Sequence, residues 1–303
     1  MGGGLSSITN GRLGIVLALA VGQSIPPRFG YPLARFLALR MASLRNTSQV
    51  QAARANLRVI RQDQISEEDL DQAVRATFCH TARCLYDLYH CLNNPESIKR
   101  SVRLSPAMKA LIQRSREGAS PFILTFLHMS QFDFAGRAIG LMGLKAQILT
   151  YSDPNSHYQW QNENRRKFGL EITPISTDTL RTAVHRLERG GAIMTALDRP
   201  LPDSKYRPRF FGRPAALPTL HIRLALKTNA PVYVGASLMQ PDGIYEIMVS
   251  GPIPIEPHSN SQTEIIQNAE TVLGVAADII RQAPHQWAMF YPVWPERQDT
   301  RHE

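Results

Sequence analysis

The amino-acid sequence predicts an α/β fold, with a mixed, largely parallel central sheet flanked by helices and a helical annex at the N-terminus. Short unbroken apolar runs, such as "PFILTFL" at 121–127, are typical of strands buried on both faces. These runs alternate with helical stretches through short connections, which is typical of a parallel α/β sheet. The chain has 303 residues, 43% of them hydrophobic, so it is long enough to form a full core.

The N-terminal annex begins with an apolar stretch at 13–21, which is too short to span a bilayer by itself. A signal peptide, a helix that touches the membrane and a helix packed on the domain remain open for it. The segment at 32–45, "PLARFLALRMASLR", predicts a basic, imperfectly amphipathic helix. Such a helix suits an anionic lipid surface, and packing on its own domain is the alternative. Its apolar side consists of Leu33, Phe36, Leu37, Met41 and Leu44.

Two further helices are predicted in the annex. The first covers about 48–61, and the second begins at "SEEDL", where Ser66 precedes an acidic residue by three positions, as in a capping box. We expect membrane-associating helices over 1–100 and an α/β domain over 101–297, together forming one structural unit.

The α/β part follows in a regular order. Helices are expected at "FDFAGRAIGLMG", "PNSHYQWQNENRRKFG" and "TLRTAVHRLERG", between strands at "PFILTFL", "KAQILTY", "LEITPIS" and "GAIMTAL". A Pro- and Arg-rich loop at 198–219 leads to a helix at "LHIRLALKTN". A hairpin with a Pro-Asp-Gly turn, a helix at 262–282 and an aromatic strand "QWAMFYPVW" complete the chain.

A histidine stands at the end of the first buried strand. Ligands of α/β sheets bind beyond the carboxyl ends of the strands, so His128 is placed to act as a general base. Asp133, five positions later, would orient the ring if the chain turns at Met129–Ser130 and starts a helix. Two other interpretations stay open: "SQFD" as a capping box, and His128 as a core histidine.

Composition and motifs exclude several other functions. The formal net charge of +9 favours polyanionic partners, but no nucleic-acid recognition element is visible. The sequence lacks GxSxG, GxxxxGK[ST] and HExxH motifs, and its three cysteines show no zinc or disulfide pattern. We therefore expect neither a metal nor a resident cofactor, and direct transfer to a bound hydroxyl fits best.

Several stretches resemble one family in the same order. "HMSQFD" resembles the HX4D/E motif of the lysophospholipid acyltransferase superfamily, in the branch of lipid A biosynthesis and phosphatidylinositol mannoside acyltransferases. The resemblance covers about residues 10–295. It continues in "RANLRVI", "RRKFGLEITPIS", "MTALDRP" and "FFGRPAALPTLHIRLALKTNAPV".

The resemblance implies transfer of a fatty acyl chain from acyl-CoA or acyl carrier protein to a hydroxyl of a membrane glycolipid or phospholipid. It makes His128 the general base and Asp133 its orienting partner. Independently of the resemblance, the reaction requires donors for the developing oxyanion, and the backbone amides near Ser130–Gln131 are the candidates. Arg165 would hold an anionic group, and a solvated helix face is the alternative. The enzyme is expected at the cytoplasmic face of the inner membrane, peripheral or monotopic.

Further pocket residues are expected near the strand ends. Asp198 and Arg199 would line the acceptor pocket or brace the loop, with a structural ion pair as the alternative. In "RPRFFG", aromatic and basic residues would suit an acyl chain on a phosphorylated carrier. The remaining candidate substrate-binding residues are Arg209, Phe211, Gly212, Pro218 and Thr219.

A function of a different class also remains. The chain would then be a non-catalytic, basic, membrane-associated lipid-binding protein in which His128 and Asp133 are only structural.

Overall fold

The helices and strands follow the predicted order in this computed structural model, which describes residues 22–151, 162, 165–166, 169–258 and 260–295. The helices are α1 Pro27–Ala42, α2 Ser48–Ile60, α3 Glu67–Cys91, α4 Pro95–Arg100, α5 Pro106–Glu117, α6 Phe132–Leu141, α7 Thr177–Glu188, α8 Leu220–Thr228 and α9 Ser261–Gln282, followed by a 3-10 turn at Pro284–Gln286. The strands are β1 Val102–Leu104, β2 Phe122–Phe126, β3 Ala146–Thr150, β4 Glu171–Pro174, β5 Ala192–Ala196, β6 Arg209–Phe210, β7 Arg213–Pro214, β8 Val232–Met239 and β9 Tyr245–Val249.

The central sheet has seven strands in the order β1-β9-β8-β2-β5-β3-β4. The five strands from β8 to β4 are parallel to one another, whereas β9 runs antiparallel to β8 and pairs in parallel with β1. The mixed, largely parallel α/β fold is thus confirmed. The strand β1 and the helices α4 and α5 were not predicted from the sequence.

The central strand β2 is buried along its whole length, as its apolar run predicts. Successive side chains of a strand point to opposite faces. Ile123 accordingly packs in one core cluster, and Phe122, Leu124 and Phe126 pack in the other. Both faces of the sheet are covered, and this packing holds the ends of the strands in fixed positions.

The N-terminal helices share the first of these clusters with the sheet, through residues such as Val50, Leu57 and Phe78. The predicted N-cap of α3 is confirmed, since Ser66 Oγ accepts a hydrogen bond from the backbone amide of Asp69 at 3.1 Å. Asn56, in the "RANLRVI" stretch, is buried and donates to the carbonyls of Met289 and Tyr291. The annex therefore holds the C-terminal segment in place.

Three predicted elements differ from the structure or lie outside its description. The apolar stretch at 13–21 is outside the described residues. Of the helix expected at 154–169, Asn162, Arg165 and Arg166 are described, and they are helical. The aromatic stretch at 286–294 makes a single antiparallel bridge, Met129 to Trp287, rather than a strand.

The loop predicted at 198–219 contains a small hairpin, β6–β7. Its two central residues have positive φ angles, 49° at Phe211 and 76° at Gly212, as a two-residue hairpin turn of type I′ requires. Glycine adopts this conformation freely, whereas a phenylalanine does not. Because Phe211 is an unusual residue for that turn, the sequence of the loop does not predict the hairpin.

Candidate active site

The side chain of His128 is held by a buried carboxylate at the end of the neighbouring strand. Its Nδ1 lies 2.6 Å from Asp198 Oδ1, and its backbone amide donates to Asp198 Oδ2 at 2.9 Å. Asp198 is fully buried, whereas 17% of the His128 side chain is exposed.

The register of the sheet explains this contact. Strands β2 and β5 are parallel neighbours, with Phe126 paired to Ala196. His128 and Asp198 each lie two positions beyond that pair, so the chain brings them to the same edge of the sheet side by side.

The contact also fixes where the imidazole carries its proton. An ionised carboxylate can only accept hydrogen bonds, so Nδ1 must be the donor when the ring is neutral. The unprotonated nitrogen is then Nε2, which can accept a proton from a hydroxyl. This is the arrangement that a general base requires.

The predicted contact between His128 and Asp133 is wrong. Asp133 lies in the first turn of α6, and its Oδ1 accepts from Arg165 Nε at 2.7 Å and lies 2.5 Å from Arg165 Nη2. Arg165 also donates a hydrogen bond from Nη1 to Asn162 Oδ1 at 2.8 Å. Asp133 does lie in the first turn of the helix that follows β2, but its carboxylate forms an ion pair with the Arg165 guanidinium. A catalytic role of Asp133 stays a prediction.

The turn between β2 and α6 is fixed by hydrogen bonds rather than by a capping box. The N-cap of α6 is Gln131, whose side chain makes no cap hydrogen bond. Ser130 has a φ of 45°, and its Oγ lies 2.8 Å from His80 Nε2 and 2.5 Å from Gln286 Oε1. The capping-box interpretation of "SQFD" is therefore wrong.

The backbone amide of Ser130 donates to the Gln286 carbonyl at 2.6 Å. This amide is one of the donors expected for the developing oxyanion, and it is not free for that role. The first amides of α6, starting at Phe132, have no acceptor within their own helix and point beyond its N-terminus. Phe132 also packs against the His128 ring, at 4.5 Å between centroids, which places this helix start beside the base.

Trp287 contacts the His128–Asp198 pair as a third residue, and the sequence did not predict this contact. Its indole Nε1 donates to Asp198 Oδ2 at 2.8 Å. Burial by itself raises the pKa of Asp198, but the charge and hydrogen bonds of His128 and the indole hydrogen bond outweigh it and lower that pKa. Asp198 is thus held as an anion next to the imidazole. A buried tryptophan needs an acceptor for its N–H, which is the one signal in "QWAMFYPVW" that pointed to such a contact.

A family comparison agrees with the fold. The family model of the bacterial lipid A biosynthesis acyltransferases matches residues 8–296. The chain belongs to that family. A search of the curated proteins found no match to the chain. The protein is therefore an acyltransferase that uses a lipid acceptor and an acyl donor, and the enzymes of this family are membrane-associated.

Of the other residues predicted for the acyltransferase site, Arg199 is next to Asp198 but faces outward. Its guanidinium lies over the Tyr291 ring, at 4.7 Å from the centroid, and Nη2 donates to the Tyr291 hydroxyl at 3.2 Å. Arg199 does not form an ion pair with Asp198, so that alternative is wrong for these two residues.

The residues of "RPRFFG" lie on the β6–β7 hairpin. Arg209 is exposed, and its backbone amide donates to Glu270 Oε1 at 2.8 Å. Phe211 is half-buried against Trp294, and Gly212 is exposed at the tip of the turn. Phe210, the other aromatic residue of the hairpin, packs on Trp287 at 6.1 Å between ring centroids. The hairpin is therefore joined to the Asp198 site through aromatic packing.

The last two predicted residues precede α8. Thr219 is the buried N-cap residue of that helix, without a side-chain cap bond, and Pro218 before it is half-buried. The structure does not bring either residue into contact with His128 through a hydrogen bond. Their substrate-binding role stays a prediction.

Two surface cavities, of about 290 and 450 Å³, lie away from the His128–Asp198 pair. One is lined by Ile60, Arg61, Gln62, Arg281 and Pro284, and the other by Arg100, Val102, Arg103, Leu104, Lys109, Met142 and Ile244. Among the described residues, no group of three His, Cys, Asp or Glu side chains is placed to hold a metal ion.

Proposed function

We propose that the protein transfers a fatty acyl chain from a thioester, acyl-CoA or acyl carrier protein, to a hydroxyl of a membrane glycolipid or phospholipid. His128 serves as the general base, and Asp198 orients it. The observation that carries this proposal is the 2.6 Å contact of Asp198 with Nδ1, which leaves Nε2 as the proton acceptor. This arrangement of a histidine and a buried carboxylate is suited to activating a hydroxyl.

The reaction then proceeds in two steps. The acceptor hydroxyl gives its proton to His128 Nε2 while its oxygen bonds to the thioester carbonyl carbon. The tetrahedral intermediate collapses with breakage of the C–S bond, and the imidazolium returns the proton to the leaving thiolate. Asp198 stays ionised throughout and stabilises the imidazolium that forms between the two steps. The amides at the start of α6 are placed to stabilise the oxyanion.

Asp133 and Arg165 have a separate role in this proposal. Both side chains are mostly buried, with 11% and 14% of their surfaces exposed, and they hold the start of α6 to the segment that contains Arg165. Because α6 carries the oxyanion donors and Phe132, this ion pair positions the site from the side opposite to Asp198. The Arg165 guanidinium is the group proposed to hold an anionic part of a substrate.

The helix α1 places the enzyme on the membrane in this proposal. Its predicted apolar side is exposed in the protein, with Leu33, Phe36, Leu37, Met41 and Leu44 between 38 and 60% accessible. An exposed apolar row on a helix with several arginines suits an anionic lipid surface. Among the described residues, no helix is both long and apolar enough to span a bilayer. We propose peripheral or monotopic attachment at the cytoplasmic face of the inner membrane.

The test is acyl transfer in vitro. The full chain is incubated with palmitoyl-CoA or palmitoyl-acyl carrier protein and an extract of bacterial membrane lipids, and lipid products are followed by mass spectrometry. Acyl transfer that disappears in His128→Gln is the expected result. Glutamine keeps a polar side chain of similar size but cannot act as a base near neutral pH.

A folded wild-type protein that binds lipid but transfers no acyl chain from either donor would contradict the proposal. It would favour a lipid-binding function without catalysis. Undiminished transfer by a folded His128→Gln variant would instead reject His128 as the base.

A further inference from the structure

The C-terminal segment Gln286–Ala288 lies antiparallel to the turn that carries His128. The amide of Ala288 donates to the His128 carbonyl at 2.9 Å, and the Gln286 carbonyl accepts from the amide of Ser130 at 2.6 Å. Met129 and Trp287 form the bridge between these bonds. The segment thus holds the backbone on both sides of Met129, and it does so from a position about 160 residues away in sequence.

The side chain in the middle of that segment reaches the Asp198 carboxylate. Trp287 is 3% exposed, and its Nε1 donates to Asp198 Oδ2 at 2.8 Å. Asp198 Oδ2 also accepts from the His128 amide, and Oδ1 accepts from the His128 ring. The three donors fix the plane of the carboxylate, and the indole is the only one of them that does not come from His128.

We propose that Trp287 is a positioning residue of the acyltransferase, whose indole N–H orients the Asp198 carboxylate toward the His128 ring. This inference rests on the proposed role of His128 as the base. Trp287 itself is buried behind Asp198 and acts through that residue.

Loss of this donor has a consequence for proton uptake by the pair. Asp198 is fully buried, so its negative charge depends on its donors. When the imidazole is neutral, the carboxylate has no compensating charge and relies most on the indole hydrogen bond. When the imidazole is protonated, the ion pair stabilises the carboxylate by itself. Removing the indole N–H therefore favours the protonated pair, which then persists to higher pH.

Other charged groups near the pair are already engaged. His128 is the titratable group whose charge and hydrogen bonds lower the pKa of Asp198. Arg199 contacts Tyr291, and Asp133 contacts Arg165. Two further imidazoles lie on neighbouring elements: His80 contacts Ser130 Oγ, and His285, two positions before Trp287, packs against the His80 ring. The NMR titration follows the His128 ring itself, which assigns a change in its midpoint to the Asp198–His128 pair.

The chain offers a matched control in Trp294. This residue packs in the same aromatic cluster, with its ring 6.3 Å from Trp287 and 5.5 Å from Phe210 between centroids. Its Nε1 has no hydrogen-bond partner among the described residues. Trp294→Phe therefore removes an indole from the cluster without removing a donor from Asp198.

The experiment compares Trp287→Phe with Trp294→Phe in the full chain. Two quantities are measured: the pH dependence of thiol release from palmitoyl-CoA with bacterial membrane lipids present, and the NMR titration of the His128 ring, identified by its loss in His128→Gln. For Trp287→Phe, we expect kcat to fall about tenfold or more, with little change in KM for palmitoyl-CoA. The acid limb of the rate profile and the ring titration should both move up by roughly one pH unit. Trp294→Phe should leave both midpoints unchanged.

Equal midpoints in wild type and folded Trp287→Phe would overturn the inference, as would the same shift in Trp294→Phe, because packing alone would then explain the effect. If Trp287→Phe does not fold, benzothienylalanine at position 287 keeps the ring shape and replaces the N–H by sulfur, and the same shift is expected. The ring titration does not need activity. A shifted midpoint without any acyl transfer would thus support the positioning of the pair while contradicting the proposed function.

Discussion

Asp198 and Asp133 are both near His128, but they bind different groups. Asp198 accepts hydrogen bonds from His128 and Trp287, whereas Asp133 accepts them from Arg165. A carboxylate that contacts the base contributes directly to the stability of the imidazolium, while one that contacts an arginine acts through the position of a helix. The two residues should therefore differ in their effect on rate.

The first prediction compares Asp198→Asn with Asp133→Asn. The amide of asparagine cannot serve as an ionised acceptor for Nδ1–H, so Asp198→Asn should lower kcat by about 10²- to 10⁴-fold. Asp133→Asn keeps an oxygen for Arg165 and should lower kcat by about tenfold or less. Thiol release from palmitoyl-CoA at saturating lipid measures both. A larger loss in Asp133→Asn than in Asp198→Asn would contradict the assignment of the orienting carboxylate.

At the scale of elements, α1 packs on α3 through one side and exposes the other. Gly30, Ala38 and Ala42 are buried, whereas Phe36 and Leu37 are 60% and 52% exposed. A helix held in this way can present its apolar side to lipid without unfolding any part of the core.

The second prediction concerns membrane binding through this helix. Replacing both Phe36 and Leu37 by Asp should lower binding to phosphatidylcholine–phosphatidylglycerol vesicles at least about tenfold, because each apolar side chain that enters the lipid contributes about 1.5–3 kcal/mol. Flotation of vesicles in a density gradient measures the bound fraction. Thr271→Asp, at an exposed position of α9, adds the same kind of charge and should leave binding unchanged. Equal binding by the double variant and wild type would reject α1 as the contact.

One hydroxyl joins three of the groups around the turn between β2 and α6. Ser130 Oγ contacts His80 Nε2, Gln286 Oε1 and the amide of Met239, at 2.8, 2.5 and 3.2 Å. Burial, with smaller contributions from His285 and Arg83, lowers the pKa of His80 to about 4, so this imidazole is neutral near physiological pH. Without the hydroxyl, each partner loses this bond, although the Met239 amide still donates to Gln286 Oε1 at 2.8 Å and His80 Nε2 still lies 3.3 Å from Cys84 Sγ.

The third prediction is that Ser130→Ala lowers the free energy of unfolding by about 1–3 kcal/mol, because it removes three hydrogen bonds of a buried network, including the one to the His80 ring. Denaturation by urea measures this change. Ser43→Ala removes a hydroxyl bonded to the Arg40 carbonyl at an exposed site and should change that free energy by less than about 0.5 kcal/mol. Similar losses in the two variants would show that the buried network is not what stabilises the turn.

For the whole molecule, buried histidines make folding sensitive to acid. His221, in the first turn of α8, is fully buried, and neither ring nitrogen has a hydrogen-bond partner among the described residues. Burial lowers its pKa from 6.5 to about 4. The unfolded chain therefore binds more protons than the folded one between these values, so this residue costs stability as the pH falls from 6.5 toward 4.

The fourth prediction is that His221→Leu removes this part of the acid sensitivity. The free energy of unfolding of the variant relative to wild type should increase by about 3 kcal/mol between pH 6.5 and pH 4. Denaturant titrations at several pH values measure it. Ile222→Val, a change in the same helix without a titratable group, should cost about 1 kcal/mol at every pH. A difference between His221→Leu and wild type that does not depend on pH would contradict the prediction.

Much of the fold followed from local patterns in the sequence. The apolar run of β2, the N-cap of α3 and the Pro-Asp-Gly turn after β8 each have a local physical cause, namely burial on both faces, a side-chain acceptor for an orphan amide, and a positive φ of 83° at Gly243. The short strand β1 was not predicted, because three residues carry no usable periodicity.

Local patterns were enough to predict that His128 and Asp198 end two buried strands, because apolar runs stop at both residues and the carboxyl ends of parallel strands share one edge of a sheet. Which carboxylate reaches the imidazole depends on the folded chain. Strand β5 lies next to β2 in the sheet, although β3 and β4 come between them in the sequence. The folded chain also determines that Arg165 pairs with Asp133 and that Trp287 donates a hydrogen bond to Asp198. These contacts join residues 32 to 89 positions apart, and no local pattern of charge or hydropathy encodes such a pairing.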